Sequence, residues 1–130
     1  MNDRTLNEET DRLNDALDEV EYAIFNLRIG VMASIELDAE HQLVWQKEGG
    51  NWHLFIRHVE SDSFNRLRSA GRRHRVLAAG KLDELLLAIR RAEQNERDGV
   101  AAAIAQASLF AQRVRLLTVH KHVREESSHD

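Results

Sequence analysis

The sequence predicts an α+β fold: an N-terminal helix, a three-stranded antiparallel meander, then two or three C-terminal helices packed on one sheet face. Three observations carry this. Residues 43–56 (LVWQKEGGNWHLFI) alternate in hydropathy on both sides of the chain's only Gly-Gly pair. Residues 31–37 (VMASIEL) alternate with period two. The flanking segments instead repeat their apolar residues every three or four positions, the spacing of a helix face.

The first helix is expected over residues 5–28. Thr5 and Glu8 have capping-box spacing, in which each side chain satisfies a free backbone N–H of the other. Leu6, Leu13, Leu17, Val20, Ile24 and Leu27 form an apolar seam whose later members follow heptad spacing. The seam suits burial against the chain's own sheet or a helix pair across a dimer axis. Leu6, Leu13, Leu17 and Val20 are its candidate partner-interface residues. Gly30 is the expected left-handed cap.

The meander follows from register arithmetic. A turn at Gly49-Gly50 pairs Lys47 with Trp52, Gln46 with His53, Trp45 with Leu54, Val44 with Phe55 and Leu43 with Ile56. One face then carries Leu43, Trp45, Trp52, Leu54 and Ile56. The other carries Gln42, Gln46, His53 and Arg57, with Val44 and Phe55 as its apolar members. A one-residue slip would mix the faces. A four-residue loop would keep the same pairing, so the turn type stays open. The preceding strand needs an odd connection: three residues (38–40) put Ile35 opposite Leu43, and five put it opposite Trp45.

After the hairpin, residues 59–63 read as a loop with Ser61 or Ser63 as a helix N-cap. A helical segment over residues 64–79 then holds the arginines, although Gly71 inside it shifts the start towards Ser69. Its wheel gathers Leu67, Ala70, Leu77 and Ala78 on one side and Arg68, Arg72 and Arg75 on the other, with His74 on the apolar arc. A third helix is expected over 82–94, a polar turn at 95–99 (NERDG), and a fourth helix over 100–123. The stripe of that last helix is Val100, Ala103, Ile104, Ala107, Phe110, Ala111, Val114 and Leu117. Residues 124–130 form a polar tail expected to fray.

Length and composition bound the function. The 130 residues are read as one domain, 42% hydrophobic and 31% charged, a globular balance. There is no cysteine, which removes disulfides and thiolate metal sites and fits a reducing, cytoplasmic setting. The polar, acidic N-terminus does not resemble a secretory signal, and no apolar run approaches the ~20 residues of a membrane span. Net charge is −4, yet residues 1–21 hold eight acids and residues 57–75 hold six arginines, a polarity that argues about partners.

The candidate chemistry is sparse. His120 and His122 point about 200° apart on a helix, wrong for a shared metal, so neither a metal nor another cofactor is expected. His53, Arg57 and Glu36 could cluster on the polar hairpin face, but no activated nucleophile accompanies them. No phosphate-binding glycine motif is present. Arg66, Arg68, Arg72, Arg73 and Arg75 form the one basic patch, a candidate nucleic-acid site. The leading expectation is a non-enzymatic protein-interaction module of the adaptor, inhibitor or antitoxin-like kind carried by bacteria or phages. It is expected to pair with itself as a homodimer or with another protein. The alternative is a nucleic-acid-binding accessory protein.

Overall fold

The computed structural model describes backbone for residues 3–128 and side chains for 5–120. It has the α+β architecture, with four strands where three were expected. Helix α1 (Asp3–Asn26) is followed by β1 (Ala33–Glu36), β2 (His41–Glu48), β3 (Asn51–His58) and β4 (Ser63–Arg66). A 3₁₀ turn (Leu67–Ser69), α2 (Arg72–Ala79) and α3 (Leu82–Ser128) complete the chain. The chain divides into two compact units, Met1–Gln94 and Asn95–Asp130.

The first unit holds an antiparallel sheet in the order β1-β2-β3-β4. Every hairpin pair read from the sequence is present, from Lys47↔Trp52 to Leu43↔Ile56. Gly49 and Gly50 both have positive φ, 59° and 89°, which is the two-residue type I′ turn and closes the alternative of a longer loop. Ile35 lies opposite Leu43, as the three-residue connection requires.

One sheet face carries the core. Leu43, Trp45, Leu54 and Ile56 cluster with Leu17 and Ile24 of α1, Leu67, Ala78 of α2, and Leu85 and Ile89 of α3. Leu13 and Val20 pack against that cluster. Leu13, Leu17, Val20 and Ile24 of the heptad-like α1 seam therefore cover the chain's own sheet, whereas Leu27 is exposed. Fully burying a leucine or isoleucine contributes roughly 1.5–3 kcal/mol, so the seam is a main tie between helix and sheet.

The other face is less open than its polar pattern implies. Val44 and Phe55 are buried, and Phe64 of β4 stands edge-on to Phe55 with ring centroids 6.4 Å apart. This is where the expected helix over 64–79 fails. Residues 63–66 pair with β3, Phe55 opposite Arg66 and Arg57 opposite Phe64. A fourth strand satisfies the free edge of β3 and sets Phe64 beside Phe55, a gain that helical propensity cannot offer there. Arg57 secures the turn: its Nε donates to Asp62 Oδ1 at 2.6 Å, its NH1 donates to Gln42 Oε1 at 3.0 Å, and its guanidinium sits 5.8 Å from the Phe64 ring centroid.

Three boundaries also differ. Helix α1 starts at Asp3, before Thr5. The left-handed residue after α1 is Arg28, with φ 55°, and not Gly30. The turn expected at 95–99 is absent: α3 runs through it and on to Ser128, past the expected end at 123. Gly99 accounts for the expectation, yet one glycine inside a helix costs only about 1 kcal/mol. His129 and Asp130, the end of the expected tail, lie outside the described residues.

Candidate functional site

The arginines do not form one helical patch. Arg66 ends β4, Arg68 lies in the 3₁₀ turn, and Arg72, Arg73 and Arg75 lie on α2. Four of the five face α1. Arg66 NH2 lies 3.5 Å from Glu21 Oε2, and Arg68 NH1 lies 3.8 Å from Asp18 Oδ2. Arg72 Nε donates to Thr10 Oγ1 at 3.0 Å, and Arg75 NH1 donates to Asn14 Oδ1 at 2.6 Å. The basic segment is thus a docking strip for the acidic helix, while Arg73 is exposed and points to no partner among the described residues.

The proposed His53–Arg57–Glu36 cluster is not assembled. His53 Nδ1 lies 3.1 Å from Glu21 Oε2 and 3.0 Å from Arg66 NH2, whereas Arg57 is engaged by Asp62 and Gln42. One ring nitrogen cannot serve both of its neighbours: carrying hydrogen it donates to Glu21, and without hydrogen it accepts from Arg66. This cluster ties α1, β3 and β4 together.

A second grouping went unread in the sequence. The hairpin register continues past Leu43↔Ile56 to pair His41 with His58, so both histidines extend the core face to the end of the sheet. Helix α2 brings His74 from its inward arc to this end. The His41 and His74 rings lie 4.2 Å apart at 47°, and the His41 and His58 rings 5.1 Å apart at 89°. The three histidines line a cavity of about 230 Å³ with Ile56 and Gly71 among its walls. The register arithmetic, carried two residues further, was the signal for it.

Asp38 closes the grouping from the β1–β2 loop. Its Oδ1 accepts the backbone N–H groups of Glu40 and His41, each at 2.9 Å, and lies 2.8 Å from His41 Nδ1. Its Oδ2 lies 3.7 Å from His74 Nε2. The Glu40 N–H above all, and then the His41 ring, hold the Asp38 carboxyl at a pKa of about 2, below its ordinary 3.8. The group is a permanent anion at neutral pH. One oxygen or nitrogen from each of Asp38, His41 and His74 lies within 4.8 Å of the others, which is the scale of a metal's coordination sphere. His58 is differently placed, because its Nδ1 accepts the Ser61 N–H at 3.4 Å.

An aromatic cleft of about 350 Å³ lies at the opposite end of the core face, lined by Phe25, Arg28, Trp45 and Trp52 among others. The Trp45 and Trp52 rings stack at 5.8 Å, and the buried Trp45 Nε1–H meets no acceptor among the described residues.

In the second unit, every described side chain of residues 95–120 except Ala111 is exposed. They include Val100, Ile104, Leu109, Phe110, Val114, Leu116, Leu117 and Val119. No described helix is long and apolar enough to cross a membrane. Comparison with protein-family models, with curated proteins and with solved structures finds no match to this chain.

Proposed function

We propose that this protein is a non-enzymatic interaction module that pairs with a second copy of itself through the second unit. The single observation carrying this is the exposure of its large apolar side chains, since a helix apolar around much of its girth is ordinarily buried. Val100, Ala103, Ala107, Phe110, Val114 and Leu117 alternate spacings of three and four, a heptad seam. The seam is self-complementary when two copies run antiparallel. Ala107 then faces Phe110, Ala103 faces Val114 and Val100 faces Leu117, so small residues meet large ones in every layer but the last. A parallel pair would stack Phe110 on Phe110 and leave alanine layers loose.

This moves the expected interface. Leu13, Leu17 and Val20 belong to the core of the first unit, and Leu6 is half-buried. Nucleic-acid binding through Arg66, Arg68, Arg72, Arg73 and Arg75 has less support, because four of these arginines already contact α1.

Light scattering coupled to size exclusion tests the proposal. The expected mass is twice the 14.9 kDa of one chain, falling to one chain in a Phe110→Asp, Val114→Asp variant whose near-ultraviolet spectrum is unchanged. A wild-type mass of one chain across the micromolar range overturns it.

A further inference from the structure

We propose that Asp38, His41 and His74 bind one divalent transition-metal ion of the zinc class, which clamps the β1–β2 loop to α2. Zinc takes imidazole nitrogen and carboxylate oxygen at 2.0–2.2 Å, and two ligands of a tetrahedral site then lie roughly 3.3 Å apart. Here His41 Nδ1 lies 2.8 Å from Asp38 Oδ1 and His74 Nε2 lies 3.7 Å from the other oxygen, Oδ2. One donor atom from each of the three residues lies within 4.8 Å of the others, and rotation of the side chains about Asp38 closes that spacing to the tetrahedral edge.

The ligand set also has the right chemistry. Two imidazoles and one carboxylate suit zinc, cobalt and nickel better than the oxygen-seeking calcium and magnesium. The Asp38 carboxylate is ionised at neutral pH, so no proton need leave it. Two backbone N–H groups fix its orientation, the outer support that metal-binding carboxylates usually have. His41 is the first residue of β2 and His74 lies in the first turns of α2, both on elements anchored by the core. The adjoining cavity of about 230 Å³ leaves space for a water as a fourth ligand. His58 flanks the site; the hydrogen bond its Nδ1 accepts leaves hydrogen on its other nitrogen.

Two ions probe the site. Cobalt(II) added to the full chain should give visible d–d absorption of tetrahedral character at one ion per chain. Zinc(II) should bind by calorimetry at the same stoichiometry and raise the unfolding temperature. His41→Ala or His74→Gln should weaken zinc binding by more than about a hundredfold, whereas His120→Ala with His122→Ala should leave it unchanged. Loss of binding in the tail variant and not in the first two would overturn the proposal, as would absence of binding at tens of micromolar zinc. If His41→Ala does not fold, the wild-type protein still decides. The His41 and His74 ring resonances must shift on adding zinc, and unmoved resonances refute the site.

Discussion

Glu21 and His53 are 32 positions apart in sequence and meet at 3.1 Å across the sheet edge. The other oxygen of Glu21 accepts the Leu54 backbone N–H, also at 3.1 Å. Pairing of β3 with β4 ends at Phe55↔Arg66, and the helix carboxylate takes the next N–H of that edge. One side chain thus ends the sheet, joins it to α1 and balances Arg66.

Replacing Glu21 should be costly for that reason. Glu21→Ala leaves the Leu54 N–H without its acceptor and removes the carboxylate beside Arg66, a loss of about 1–3 kcal/mol. Glu21→Gln keeps one acceptor and should lose less. Urea denaturation orders the three proteins, and an unchanged midpoint for alanine would contradict the role.

The arginines of α2 separate by position. Arg72→Glu and Arg75→Glu together break the hydrogen bonds to Thr10 and Asn14 and set acid against an acidic helix, so a loss of about 1–3 kcal/mol is expected. Arg73→Glu makes the same charge change on an exposed position and should stay within roughly 0.5 kcal/mol. Thermal unfolding of the variants makes the comparison.

Arg28 holds φ at 55°, a left-handed backbone that costs a side-chain-bearing residue about 1 kcal/mol. Arg28→Gly should therefore stabilise the first unit by up to about 1 kcal/mol. The measurement is the denaturation midpoint, and a fall would show that the arginine side chain matters more than the strain.

Gly99 lies inside α3, and a methyl group there would meet nothing within 4 Å. Gly99→Ala should strengthen the helix by about 1 kcal/mol and increase helical circular dichroism on heating. A polar turn at this point would give no such gain.

Asp38 makes acid sensitivity predictable in sign. Its folded pKa, about 2, is depressed below the ordinary 3.8. Its contribution to stability is therefore complete above about pH 4 and is lost as pH falls towards 2. Asp38→Asn should be less stable than wild type at neutral pH and lose less on acidification. Urea midpoints between pH 5 and pH 2 test both halves.

The sequence by itself determined the elements whose signals are local. Gly49-Gly50 admits a hairpin turn because two consecutive positive φ angles favour glycine. The two-residue periodicity then leaves one register that keeps Leu43, Trp45, Leu54 and Ile56 on a single face, and the odd connection follows for β1. The wide apolar seam of α1 and the stripe of α3 were legible for the same reason.

Only the tertiary structure decided the rest. Residues 63–66 are helical or extended according to whether an edge of β3 awaits them, which no property of SFNR records. The arginines are neighbours in sequence, yet their partners at Thr10, Asn14, Asp18 and Glu21 are set by how α1 crosses the sheet. The grouping of Asp38, His41 and His74 lay half in view: Asp38 and His41 share a turn and His41 follows from the register. His74 joins them only because α2 folds back over the end of the core, and long-range packing of that kind leaves no periodic mark on the residues it brings together.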